Sequence, residues 1–304
     1  EEMNDRKEND LQYDTYLTEL CPTVLQMLDE LPLSIEFLKL SKAALNCFDS
    51  YELYLPFMDK FEEALDEPSY FSYCSNFIRT IFISSPIKSN DASIEIIIRI
   101  MKFSMQLSYE LVDQKIFDTP CEIWCEIVNF SPFLFEDSDF AEFFLTELLK
   151  FLSRININTK ELQQLIHDVC IVFTNDDFPT YTLELVQIFN IALRIMDFEY
   201  SYPLDLSIKD LYLKIPDSVA EILLDQMQDP SPGLFLAACQ CRLSEEFLSG
   251  LCIQAIRMKD VLPLSHLLIF ISKVGIKNPE FKEQWLNILF ECFPVQPLMS
   301  INCI

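Results

Sequence analysis

Apolar residues recur along this chain at three- and four-residue spacing, the interval that gathers side chains onto one face of an α-helix. Leu162, Leu165, Ile166, Val169 and Val172 or Phe173 form one such series, and Leu223, Leu224 and Met227 another. The pattern predicts one set of helices over Ser93–Leu107, Phe140–Leu152, Tyr181–Met196, Val219–Met227 and Val261–Val274. A second set is predicted over Ile35–Phe48, Tyr70–Ile83, Cys121–Phe130, Leu162–Phe173, Ile208–Leu213 and Glu245–Met258, with Phe281–Phe293 closing the series. The connections are short and carry Pro, Ser, Asn and Asp, as at Ser84-Ser85-Pro86, Ser131-Pro132 and Asp229–Gly233. The isoleucine-rich run Ile94–Ile100 has strand propensity, but its length and the lack of glycine turns around it predict helix.

The helices return at an interval. An Asp, often beside Ser, Asn or another Asp, opens an apolar run at Asp49, Asp91, Asp139, Asp177, Asp217 and Asp260, with gaps of 42, 48, 38, 40 and 43 residues. Asp10 extends the series backwards by 39. Each is expected as a helix N-cap, since a carboxylate there accepts hydrogen bonds from the free N–H groups of the first turn. A period near 42 with two or three helices per unit belongs to the armadillo/HEAT size class.

Two segments carry a family resemblance. Val219-Ala220-Glu221-Ile222-Leu223-Leu224-Asp225-Gln226-Met227-Gln228-Asp229-Pro230-Ser231-Pro232 resembles an armadillo third helix running into the next repeat, and Leu236-Ala237-Ala238-Cys239-Gln240-Cys241-Arg242-Leu243 resembles the small-residue second helix. The clear match covers about one repeat. It implies an all-α fold, a right-handed superhelical α-solenoid of stacked two- or three-helix armadillo/HEAT-like repeats. About six or seven units fill one domain over residues 1–304, opening near 10, 49, 91, 139, 177, 217 and 260. The chain departs from the family in two respects, and the first is that the inter-helix glycine is mostly missing, which leaves divergent or HEAT-like units open. The Trp-to-Asn ladder by which armadillo importins grip basic peptides is also missing, because Trp124 is followed four residues on by Val128, and Trp285 by Leu289.

In armadillo proteins the third helix of each unit lines the groove, so the resemblance makes four polar stripes the candidate partner-binding surface. They are Glu95, Arg99, Lys102 and Gln106; Glu142, Thr146 and Lys150; Glu184, Gln187, Asn190 and Arg194; and Glu221, Asp225 and Gln228. Each set lies on one helical face. Every amphipathic helix also has a solvated stripe, and that reading stays open for each of them. Asn190 and Arg194 stand out on a long, otherwise apolar helix.

Composition narrows the function classes. Only three glycines occur, Gly233, Gly250 and Gly275, which disfavours glycine-rich nucleotide loops and doubly wound sheets. The net charge of −26 excludes the basic footprint that nucleic acids and anionic membranes require. Acidity is concentrated in residues 1–70, 110–147 and 161–230, and residues 231–304 are balanced. No apolar run reaches membrane-spanning length. The opening Glu1–Lys7 stretch is charged, so no secretory leader is expected there. The eleven scattered cysteines read as reduced, mostly buried thiols of a cytoplasmic protein, with the nucleus as the alternative compartment.

Catalytic and metal chemistry find little support. His167 and His266 are the only histidines; Asp168 is adjacent to the first, but adjacent helical residues do not face one another. Cys121 and Cys125 lie one turn apart without a second pair to complete a zinc site, and Cys239, Cys241 and Cys252 form no such pair. The acidic runs Glu62-Glu63 and Glu136-Asp137 lack calcium-loop spacing. The expectation is a non-catalytic scaffold without metal or cofactor. It binds other proteins, basic segments among them, along a concave and largely acidic surface, or else it is a permanent structural subunit with an apolar interface.

Overall fold

The computed structural model describes residues 22–47, 58–84, 91–130, 132–177, 179–196, 202–260, 262–277 and 279–292. Among them there is no strand. The helices are α1 (22–30), α2 (Ile35–Cys47), α3 (Met58–Glu63), α4 (Phe71–Ser84), α5 (Asp91–Asp113), α6 (Asp118–Phe130), α7 (Ser138–Arg154) and α8 (Lys160–Phe173). They continue with α9 (Thr182–Met196), α10 (Tyr202–Lys214), α11 (Pro216–Gln226), α12 (Pro232–Ala238), α13 (Glu245–Arg257), α14 (Leu264–Lys273) and α15 (Lys282–Cys292). The isoleucine-rich run is the first half of α5.

Local chemistry explains the helix ends. Asp137 caps α7, its carboxylate accepting from the backbone N–H groups of Asp139 at 2.9 Å and Phe140 at 3.0 Å. Thr159 caps α8 by accepting from Leu162 N–H at 3.1 Å, and Ser244 caps α13 by accepting from Phe247 N–H at 3.3 Å. Helices α11 and α12 open instead on Pro216 and Pro232, whose missing N–H costs nothing in a first turn. The expected caps therefore differ. Asp139 lies inside the first turn of α7, Asp217 inside that of α11, and Asp177 and Asp260 precede helices that open at Thr182 and Leu264. Asp10 and Asp49 lie outside the described residues. The small-residue helix also differs from expectation: it is Pro232–Ala238, and Cys239 and Gln240 turn out of it with N–H bonds to Leu236 and Ala237.

The α5–α6 connection is a Schellman turn. Lys115 N–H donates to Val112 O at 2.8 Å and Ile116 N–H to Leu111 O at 3.0 Å, with Lys115 at φ 64°. The position normally favours glycine, and here a β-carbon occupies it.

The chain forms two compact units, Glu1–Ser131 and Pro132–Ile304. In the first, Phe61 stacks on Phe77 with ring centroids 4.0 Å apart and meets Phe37 and Phe103 edge-on or tilted. Lys60 draws α1, α2 and α3 together: its ammonium donates to Asp29 O at 2.6 Å and Leu31 O at 2.9 Å, and lies 5.2 Å from the Phe37 ring. In the second unit, Phe135 packs among Phe144 and Phe173, while Phe235, Phe270 and Trp285 form a second aromatic group. Phe135 is thus core; the side chains of Phe130 and Phe133 lie outside the described residues. Both tryptophans are buried. Gly275 lets the Trp285 ring approach, since a β-carbon there would stand 3.0 Å from Trp285 Cε2.

Within each unit the principal contacts join helices close in the sequence. In the first unit α2, α4 and α6 pack in succession, and α5 fills against α4 and α6. In the second, α7 packs on α9 and α9 on α11, while α8 packs on α10, α10 on α12 and α12 on α14. Within the second unit, α7, α9 and α11 thereby form one layer of odd-numbered helices, and α8, α10, α12 and α14 one of even-numbered helices. Several polar links between helices share an interval. Arg99 bonds Glu62 and Asp59 across 37 and 40 residues, Asn158 reaches Ile195 across 37, and Arg194 reaches Ile155 across 39. Ser207 and His167 are 40 residues apart, and Lys214 and Asn175 are 39 apart. Lys60 to Asp29, Tyr212 to Arg242 and Lys259 to Glu291 span 31, 30 and 32, and the ion pairs Arg79–Glu122 and Lys273–Asp205 span 43 and 68.

Candidate binding surface

All four candidate stripes fall on odd-numbered helices. The α5 stripe belongs to the first unit. There Arg99 is committed to structure: its guanidinium donates to Glu62 at 2.9 and 3.1 Å and to Asp59, both on α3. Glu62 and then Asp59 hold its pKa even higher than usual. Lys102 and Gln106 are exposed on the same helix, and the side chain of Glu95 lies outside the described residues.

The other three stripes belong to the second unit, on α7, α9 and α11, which pack in that order. Glu142, Thr146 and Lys150 are exposed on α7, where Lys150 donates to Glu147 at 2.6 Å. On α9, Gln187, Asn190 and Arg194 are exposed and Glu184 is half-buried. Asn190 donates to Val186 O at 3.1 Å, back onto its own helix, and Arg194 donates to Ile155 O at 3.5 Å, tying the end of α9 to the end of α7. Glu221 and Asp225 are exposed on α11, with Gln228 exposed just beyond its end.

Helices α7 and α9 run in the same direction. Their C-terminal ends meet through Arg194 and Ile155. At the other end Tyr181, which precedes α9, packs its ring against Phe173 and feels the charges of Glu142, Glu184 and Asp137. Burial, followed by those three carboxylates, raises the Tyr181 pKa above the ordinary phenol value. The N-terminal halves of α7 and α9 therefore form one acidic region. Asp137, Asp139, Glu142 and Glu184 stand there, and neither 137–146 nor 181–190 contains a Lys or Arg.

Sequence reasoning missed three side chains on the same surface. Leu183 on α9, Leu224 on α11 and Phe143 on α7 are 74%, 56% and 38% exposed. Each belongs to the polar stripe of its helix, because Leu183, Gln187, Asn190 and Arg194 are spaced as one face, as are Phe143, Thr146 and Lys150, and Glu221, Leu224 and Gln228. The detectable signal was an apolar residue in phase with polar positions. A search for polar stripes passes over it.

The reactive side chains described elsewhere are buried or half-buried. Burial pushes the thiols of Cys74, Cys170, Cys239 and Cys241 up to about 12 and that of Cys252 to about 11, which leaves almost no thiolate at neutral pH. Ser207 lies 3.5 Å from His167 Nδ1, but its hydroxyl donates to Pro203 O at 2.9 Å and is fully buried. Asp168 accepts from Gln164 at 2.7 Å. His266 is buried against the start of α12, where desolvation lowers its pKa and a bond to the Pro232 carbonyl partly offsets that. Among the described residues no group of three or more His, Cys, Asp or Glu side chains is placed to hold a metal, and no helix is long and apolar enough to cross a membrane. Comparison with family models, characterised proteins and solved structures returns no match to this chain.

Proposed function

We propose that this chain is a non-catalytic protein-binding scaffold, built as an armadillo/HEAT-like right-handed α-solenoid, that holds an extended segment or helix of another protein on the layer of odd-numbered helices. The observation that carries the reading is that polar ties join a helix to its next-but-one neighbour, several of them at 37 to 40 residues. Such contacts arise when each unit buries its apolar face on its neighbour, and an array of that kind presents one continuous layer to a partner. The interval is close to the period of the Asp series. The solenoid, its repeat count and the protein-binding role form one proposal, whose functional part rests on architecture.

Acidity gives the partner a sign. With a net charge of −26, the surface favours basic segments, and the reading assigns no nucleic acid, cofactor or metal to the chain. A second reading is a permanent subunit of a larger assembly; it is favoured by Leu213 and Phe290, which remain 65% and 69% exposed away from the candidate stripes. Affinity capture from a native lysate, eluted with a salt gradient and identified by mass spectrometry, separates the two. The scaffold reading expects a basic protein released by moderate salt. A stoichiometric partner that withstands high salt indicates the permanent subunit, and recovery of no specific protein counts against both.

A further inference from the structure

The acidic region at the N-terminal ends of α7 and α9 also carries the most exposed large apolar side chain of the second unit. Leu183 stands 74% exposed in the first turn of α9, and Phe143, 38% exposed, lies in the second turn of the parallel helix α7. The charges there are Asp137, Asp139 and Glu142 on the α7 side and Glu184 on α9, of which Glu142, Glu184 and Asp137 act together on Tyr181. The basic residues Lys150, Arg154 and Arg194 all belong to the C-terminal ends of α7 and α9. Lys150 is engaged with Glu147, and Arg194 with the Ile155 carbonyl.

Apolar side chains rimmed by carboxylates select what can cover them. A second copy of this chain, at −26, is repelled, and so is any phosphate-bearing surface. A cover that is apolar on one side and cationic on its flanks satisfies both features, because it buries Leu183 and Phe143 while its charges meet the carboxylates. A basic amphipathic helix has that form.

We propose that the N-terminal half of the α7–α9 face docks a basic amphipathic segment of another protein. Its aliphatic side chains lie over Leu183 and Phe143, and its Lys or Arg side chains lie at Asp139, Glu142 and Glu184. The proposal rests on the protein-binding reading above and gives it a location and a partner chemistry. The Asn190 and Arg194 end of the stripe is outside the dock, since those side chains bond to the protein's own backbone.

The test uses the full chain and a labelled helical peptide of Lys and Leu, the leucines at three- and four-residue spacing, followed by fluorescence anisotropy. Companion peptides carry Glu for every Lys, or Lys alone. The Lys/Leu peptide binds best, and its affinity falls about tenfold between about 50 and 300 mM NaCl as charge screening grows. Leu183→Ser weakens binding by about tenfold, as loss of a central apolar anchor does. Because Leu183 is exposed, its circular dichroism stays that of the parent; Leu183→Asn serves as a second variant. Glu142→Gln combined with Glu184→Gln flattens the salt dependence. Ile253→Ser, an exposed apolar change on α13, leaves affinity unaltered. Unaltered affinity in both Leu183 variants, or equal binding of the Glu/Leu peptide, overturns the dock. Absence of peptide binding overturns it too: the scaffold reading then survives if the lysate experiment still yields a salt-released basic protein, and falls with the dock if it does not.

Discussion

Lys115 occupies a backbone position where a β-carbon is strained. Its φ of 64° closes the turn after α5, and the two Schellman hydrogen bonds hold it there. Replacement by glycine removes the steric strain while keeping both bonds, so Lys115→Gly is expected to raise stability by about 1 kcal/mol, the lower end of the cost of a left-handed conformation in an L-residue. Urea denaturation followed by circular dichroism checks this, and a lowered midpoint would mean that the lysine side chain contributes more than its strain costs. The sequence showed that glycine is scarce but not what takes its place. Gly250 and Gly275 occur where other atoms crowd, against Met227 and Trp285, and no glycine among the described residues has positive φ.

At the scale of the element, α7 illustrates what was legible. Its apolar series, its length and its polar stripe were all readable from spacing, because periodicity is set by burial and burial dominates helix formation in a folded chain. Its cap was displaced by two residues. In the run Glu136-Asp137-Ser138-Asp139 several side chains can cap, and the choice falls to whichever backbone leaves the helical region first; Asp137 does, at ψ 114°. Asp137→Ala is expected to cost about 1 kcal/mol and Asp137→Asn much less, since the amide oxygen can still accept from Asp139 and Phe140. Thermal melts of the two variants measure the difference, and equal melting would show that the cap adds nothing. The candidate site was half legible. Polar stripes follow from amphipathicity, but Arg99 and Arg194 turned out to tie helices together, and whether a surface cation serves fold or partner depends on which carboxylate or carbonyl the tertiary structure brings to it. Leu183 was passed over for the converse reason: its phase with Gln187, Asn190 and Arg194 marks it as exposed, but a search for polar side chains does not register a leucine.

At the scale of the whole molecule, the described ties between helices close in the sequence make folding a local affair. Contacts that close short stretches cost little loop entropy, so each helix can dock as soon as its neighbours exist. The division at Ser131 and Pro132 follows a minimum in such contacts. Residues 132–304 expressed alone are expected to keep the helical dichroism of the full chain per residue and to unfold cooperatively. A disordered spectrum would mean that the second unit depends on the first for its stability. The excess negative charge acts at this scale as well. Self-repulsion opposes the compact state and is relieved by counterions, which is why the salt dependence of any partner has to be measured against that of the chain itself.

The placement of the tryptophans supplies a means of observing all this. Trp124 belongs to the first unit and Trp285 to the second, and both are buried. The two indoles make a pair of internal fluorophores, one for each half of the chain. Trp285→Phe leaves an emission signal that reports on the first unit alone, and Trp124→Phe one that reports on the second. A ligand settling on α7 and α9 should then shift the denaturation curve seen by Trp285 further than the one seen by Trp124.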